Sequence, residues 1–157
     1  MLKHQSLLSL ADWRKNRDWA AEEGSTVLVN GNEKASDLIS RRAFGDARIR
    51  FEYKIPKDSN SGIYFQDRYE VQIFDSHGKK DRDLKYSDNG GIYERWNKQA
   101  EEGEEKGFEG TAPTSNQSKA PNEWQSFDIT FKAPTFCLLY TSPSPRDQRG
   151  ARMPSSA

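Results

Sequence analysis

From Tyr69 to Ser76 the chain reads YEVQIFDS, with apolar Tyr69, Val71 and Ile73 alternating with polar Glu70 and Gln72. Successive side chains of a strand leave on opposite faces, so this period of two predicts a half-buried strand. Arg68, Glu70 and Gln72 then share its polar face. ARIRFEYKI repeats the pattern, setting Ile49, Phe51, Tyr53 and Ile55 against Arg48, Arg50, Glu52 and Lys54 until Pro56 stops it. STVLVNG, SGIYFQ, GGIYERW and WQSFDITFKA follow between clusters of Gly, Asn, Asp, Ser and Pro. Trp124, beside Phe127, Ile129 and Phe131, reads as core. Recurring short strands without βα alternation predict an all-β antiparallel sandwich or barrel. Only SLLSLADWRK suits a helix, with Ser9 and Asp12 at capping-box spacing.

Two long connections, DSHGKKDRDLKYSDN and NKQAEEGEEKGFEGTAPTSNQSKAPNE, interrupt the strands and are placed to wall a site. His77 with Asp75, Asp81, Asp83 and Asp88 offers oxygen ligands in the first, but the spacing matches no Ca²⁺ loop and a solvated charged loop is the simpler reading. At Cys137 the composition shifts: the last 21 residues hold three of the seven prolines and the single cysteine, without periodicity. This tail resembles a translated sequencing adapter. The expected division is a domain over 1–136 and a disordered, foreign tail over 137–157.

The chain has 157 residues, enough for one domain with an appendage, and 31% of them are charged against 33% hydrophobic. Net charge is zero, so no field gathers nucleic acid or anionic lipid. No run approaches the roughly 20 apolar residues of a membrane span, and no export signal is evident in the chain as written. One cysteine excludes an internal disulfide framework and a thiolate metal cluster. No motif calls for a cofactor or metal. The oligomeric state is left open.

Glu70, Gln72 and Asp75 fall at i, i+2 and i+5. One bulge at Ile73 or Phe74 would return Asp75 to the Glu70 face, roughly 13 Å away along the backbone at strand rise. Inward-leaning side chains then approach the separations of paired glycosidase carboxylates. Gln72 and Arg68 would hold hydroxyls and tune the pair, while Tyr64, Tyr93, Trp96 and Trp124 are candidate surfaces for the apolar faces of sugar rings. The competing reading is a solvated face with ion pairs between Arg68 or Arg50 and Glu70 or Glu52.

The ordered series NSGIYFQDRYEVQIFDS, NGGIYERW and PNEWQSFDITFKAPTF resembles the 3-keto-disaccharide hydrolase domain family, over about Leu10 to Phe136. ADWRKNRDWAAEEGSTVLVNG and DLISRRAFGDARIRFEYKIP are similar to its opening, with Trp19 and Phe51 at hallmark positions. The resemblance implies a concanavalin A-like jelly roll, incomplete at its C-terminus, that hydrolyses glycosides oxidised to a ketone at C3. That ketone acidifies the C2 proton and opens an elimination route beside direct displacement. Carried over by motif, Glu70 and Asp75 are catalytic, and Arg68, Gln72, Tyr93, Tyr64 and Gln66 bind substrate. Members are often exported. Asn89 and Lys119 stand near positions where the family commonly has cysteines, and its closing strands are missing after Phe136, which implies a truncated, unstable and feebly active product. A carbohydrate-binding module without chemistry and an adhesive domain are the alternatives.

Overall fold

The computed structural model describes residues 7, 9–14, 17–31, 35–98, 100–102, 106–132 and 135–140, in two compact units, Met1–Gly45 and Asp46–Ala157. In the first unit the stretch read as a helix forms one 3₁₀ turn, Leu10–Asp12. The capping box is present, with Ser9 Oγ accepting from Ala11 N and Asp12 Oδ2 accepting from Ser9 N, both at 3.1 Å. The next residues are taken by a sheet: β1 (Trp13–Arg14) pairs antiparallel with β4 (Ile39–Ser40), and extended pairing ends the turn where a helix would have continued. Between them β2 (Trp19–Ala21) pairs with β3 (Leu28–Asn30), and Trp19 Nε1 donates to Ser36 O at 2.8 Å.

The second unit holds β5 (Ala47–Tyr53), β6 (Asn60–Phe65), β7 (Tyr69–Phe74), β8 (Arg95–Trp96), β9 (Gly107–Phe108), β10 (Gln125–Lys132) and β11 (Thr135–Tyr140). The fold is an all-β antiparallel sandwich of the jelly-roll kind, as the alternation predicts. One layer is β11-β10-β5; the other is the β6-β7 hairpin, extended by bridges from Val71 to Ile92 and from Ile92 to Thr111. β8 and β9 form a further two-stranded ladder.

Register decides which face of each strand meets the other layer. Phe51 stands opposite Phe127 and Ile49 opposite Ile129, so these residues share the inner face of β5 and β10. On the hairpin Ile63 stands opposite Val71, and Tyr69, Val71 and Ile73 point inward together. The two inner faces meet in one core of Tyr53, Ile55, Phe65, Val71, Ile73, Phe127, Ile129 and Phe131. Phe65 lies on Phe131 with centroids 5.3 Å apart, and Tyr53 on Phe127 at 5.0 Å. Trp124 is half-buried at the rim, with Lys54 Nζ 5.4 Å from its ring centroid.

One strand crosses the expected domain boundary. The boundary at Phe136 falls inside β11, which runs to Tyr140 and pairs residue for residue with β10, from Lys132 opposite Thr135 to Phe127 opposite Tyr140. TFCLLY is rich in β-forming residues, and the free edge of β10 offers it a full ladder. The rest of the expected tail, 141–157, lies outside the described residues. An ion pair joins Arg48 and Asp128 across β5 and β10 on the outer face, with Nε to Oδ1 at 2.8 Å and Nη2 to Oδ2 at 2.7 Å.

Phe127 has no exposed surface, so Phe127→Ala removes buried area and leaves a void. We expect a loss of about 3–5 kcal/mol in urea denaturation. Arg48 is largely exposed, and Arg48→Ala should cost no more than about 1 kcal/mol. Equal losses for the two variants would contradict this placement of the core.

Candidate functional site

Because Tyr69, Val71 and Ile73 face inward, the alternate residues of β7 must face out. Tyr64 stands opposite Glu70 and Gly62 opposite Gln72 on β6. On the other side of β7, Tyr93 N donates to Glu70 O at 2.9 Å and Gln72 N to Gly91 O at 2.8 Å. Two cross-strand rows result, one of Tyr64, Glu70 and Tyr93, the other of Gly62, Gln72 and Gly91. The first carries functional groups, and the second lacks side chains on either side of Gln72.

The glycine row positions the carboxylate. Glu70 leans across β6 so that a Cβ on Gly62 would collide with its Oε1 and come within 2.8 Å of Cγ and 2.9 Å of Cδ. A methyl group there lies closer than real contacts allow, so glycine is what permits this rotamer. Tyr64 OH donates to Glu70 Oε2 at 2.6 Å, fixing the carboxylate from its other side. Tyr64 is 57% exposed and its ring opens to solvent. Gln72 is buried: its Nε2 donates to Asn60 Oδ1 at 2.8 Å, while its Oε1 is enclosed without a donor among the described residues. Gln72 therefore forms part of the floor.

Asp75 does not join Glu70. The β6-β7 ladder runs unbroken from Phe65–Tyr69 to Asn60–Phe74, so the bulge expected at Ile73 or Phe74 is absent and alternation does not return Asp75 to the Glu70 face. Six matched pairs leave no extra residue to absorb. Asp75 instead closes the strand end, accepting from Asp58 N at 3.0 Å and His77 N at 3.4 Å. Gln66 and Asp67, with φ of 54° and 55°, form the hairpin turn, in which Arg68 N donates to Phe65 O at 3.0 Å. Left-handed backbone at both central positions is the pattern of a primed turn. Gln66 is exposed at this tip, and the Arg68 guanidinium lies 5.7 Å from the Tyr69 ring centroid.

A second carboxylate is present that the sequence reading passed over. Between Ile92 and Arg95 the ladder is interrupted, and both Tyr93 and Glu94 reach Tyr86. The Tyr86 ring stands where a side chain on Gly110 would be and meets the Tyr93 ring edge-on at 5.3 Å. Tyr86 OH donates to Glu94 Oε1 at 2.8 Å, and Trp96 Nε1 donates to Oε2 at 3.1 Å. These bonds, Tyr86 first, hold the Glu94 carboxyl below the usual carboxylate range and outweigh its partial burial. Bonding to Glu94 in turn raises the Tyr86 phenol. Glu94 thus stays ionised at neutral pH. Its only signal in the sequence was adjacency to Tyr93 in GGIYERW.

The two long connections are tied to the sheet and to each other. Asn116 Nδ2 donates to the carbonyls of Ser76 and Lys79 at 2.7 and 2.8 Å, and its N to Asp81 Oδ1 at 2.7 Å. Buried Asn89 accepts from Tyr53 OH at 3.0 Å and donates to Ser118 Oγ at 3.2 Å, so a hydrogen bond joins segments where the family resemblance implied a missing disulfide. Asp88 is buried beside it. Burial alone would raise its carboxyl, but bonds from Lys79 Nζ at 2.6 Å, Lys85 N at 2.8 Å and Ser76 OH at 2.8 Å pull it below the usual range. Among the described residues, no three or more of His, Cys, Asp or Glu are grouped to hold a metal ion. No helix among them is long and apolar enough to cross a membrane.

A family model described as the 3-keto-alpha-glucoside-1,2-lyase-like domain matches residues 4–140. No curated protein and no solved structure matches the chain.

The lowered Asp88 carboxyl gives a signed pH dependence. Its stabilisation is fully present above the unfolded value of about 3.9 and is lost as pH falls through the lower folded value. Asp88→Asn should therefore flatten the acid arm of the stability profile below about pH 4, and at pH 7 cost about 2–3 kcal/mol by leaving Lys79 unpaired. Denaturant titrations from pH 2 to 7 test this; an unchanged acid arm would count against it.

Proposed function

The chain belongs to the 3-keto-alpha-glucoside-1,2-lyase-like domain family, and from that premise we propose that it cleaves 3-keto-disaccharides or 3-keto-glucosides with Glu70 as the base. The observation that carries the reading is the Glu70 carboxylate, aligned over Gly62 by Tyr64 on a solvent-facing sheet. A carboxylate is too weak a base for an ordinary sugar C–H. A ketone at C3 makes the C2 proton acidic enough, because the electron pair it leaves is shared with the carbonyl oxygen.

Glu70 takes the C2 proton, the C1=C2 bond forms, the bond from C1 to the glycosidic oxygen breaks, and the leaving oxygen takes a proton from the phenol of Tyr93, whose backbone pairs with that of Glu70. Water then adds its oxygen at C1 of the resulting enone and gives a proton back to the Tyr93 phenolate, while Glu70 returns its proton to C2, so the net change is hydrolysis and both side chains are restored. A single aligned base suffices for this route, whereas direct displacement calls for two facing carboxylates. Asp75, occupied by two backbone N–H groups, is assigned to closing the strand end. Tyr64 and Gln66 flank the sugar at the open side of the hairpin, Arg68 lies at its tip, and Gln72 supports the floor.

Glu70→Gln keeps the shape and removes the base, and turnover of a 3-keto-glucoside should fall about 10²–10⁴-fold. Gly62→Ala, which displaces the carboxylate without removing it, should cost about 10²-fold, while Asp75→Asn should retain most activity. Chromatography of the products measures all three. Activity undiminished in Glu70→Gln would overturn the assignment, and sugar binding by calorimetry without any product would establish a binding module instead.

A further inference from the structure

Trp96 is 49% exposed, yet it is held: its indole N–H is tied to Glu94, whose other oxygen is tied to Tyr86. A solitary exposed aromatic calls for no explanation, but one locked by a carboxylate in hydrogen-bonded register with a second tyrosine is a preorganised surface. Resting on the reading of Glu70 above, we propose that Trp96 and Glu94 form the subsite for the leaving group, and that the group they take is a second sugar ring.

The placement follows from the strands. Tyr93 pairs with Glu70 through its backbone, and the ring that loses its proton is seated over the row of Tyr64, Glu70 and Tyr93. Trp96 is three residues further on, up to about 10 Å along the chain at strand rise, beyond the reach of a single pyranose ring seated at Glu70. The unit attached at C1 is the one that arrives there. Its apolar C–H face lies on the indole, and its hydroxyls donate to Glu94. Each oxygen of Glu94 accepts one protein bond and keeps a second lone pair for this purpose. Because Tyr86 already holds the carboxylate and Glu94 the indole, little side-chain freedom is lost on binding. The subsite thus selects disaccharides over glucosides whose leaving group is a small alcohol.

The full chain is assayed with a 3-keto-disaccharide and with methyl 3-keto-glucoside, as the unsubstituted protein and as Trp96→Ala, Trp96→Phe and Glu94→Gln. For the disaccharide, Trp96→Ala should raise KM about tenfold with kcat nearly unchanged, Glu94→Gln should raise it less, and Trp96→Phe should restore most of the loss. The methyl glucoside should show no change in any variant. Equal effects on both substrates would place these residues at the reactive ring, and no effect on either would remove them from the site; each result overturns the subsite while leaving Glu70 assigned. Turnover of neither sugar by the unsubstituted protein overturns the assignment of Glu70 and the subsite with it.

Discussion

The structure depends on the burial of three alternating side chains of β7. Val71 has no exposed surface and Ile73 almost none, and Tyr69 packs beside them against Phe108 and Phe131. Moving this strand by one residue would send Glu70 and Gln72 into hydrocarbon and Val71 into water. The loss of several buried side chains, each worth about 1.5–3 kcal/mol, and the desolvation of a carboxylate both forbid that slip. The orientation of Glu70 is therefore enforced by the core behind it, and a site on this face inherits the rigidity of the sandwich.

The loops are held by a different means. Asn89, Asp88, Ser76, Lys79 and Ser118 form a buried polar network in which neutral amide and hydroxyl groups surround one ion pair. Such a network fixes geometry because a buried group without its partner costs about 1–3 kcal/mol. Its members lie on both long connections and, through Tyr53, on the core. A loop conformation that broke one bond would strand several groups together. The loops that flank the polar face are thus coupled to the core.

The inward faces of β5, β7 and β10 were legible as alternation, since Ile49, Phe51, Val71, Phe127 and Ile129 are buried or half-buried where a period of two puts them. The outward position of Glu70 was legible for the same reason. Other features were decided by pairing that a single strand does not announce. The helix expected at the N-terminus gave way because Trp13 and Arg14 found partners at Ser40 and Ile39, 27 and 25 residues away in the register. Asp75 was paired with Glu70 on the assumption of a bulge, and an unbroken ladder with β6 denies it. Glu94 went unread because its role depends on a break in the ladder after Ile92 and on a tyrosine eight residues earlier. Gly62 was read only as part of a strand, since the need for an absent side chain shows only once Glu70 is seen leaning over it.

The electrostatics of the two outer carboxylates separate their chemistry. Glu94 accepts from a phenol and an indole and is held as the anion, so it cannot deliver a proton to a leaving oxygen at neutral pH. What it can do is receive hydroxyl protons in hydrogen bonds, for which a stable anion is the better acceptor. Glu70 accepts from Tyr64 OH, and its position over a glycine leaves its carboxylate close to whatever lies on the sheet. In the roles proposed for them, Glu94 as a holding anion and Glu70 as the base, the two do not make the acid and nucleophile pair of a displacing glycosidase. They suit a reaction in which a single base acts on carbon and the ketone of the substrate accepts the charge, so the electrophilic assistance comes from the sugar itself.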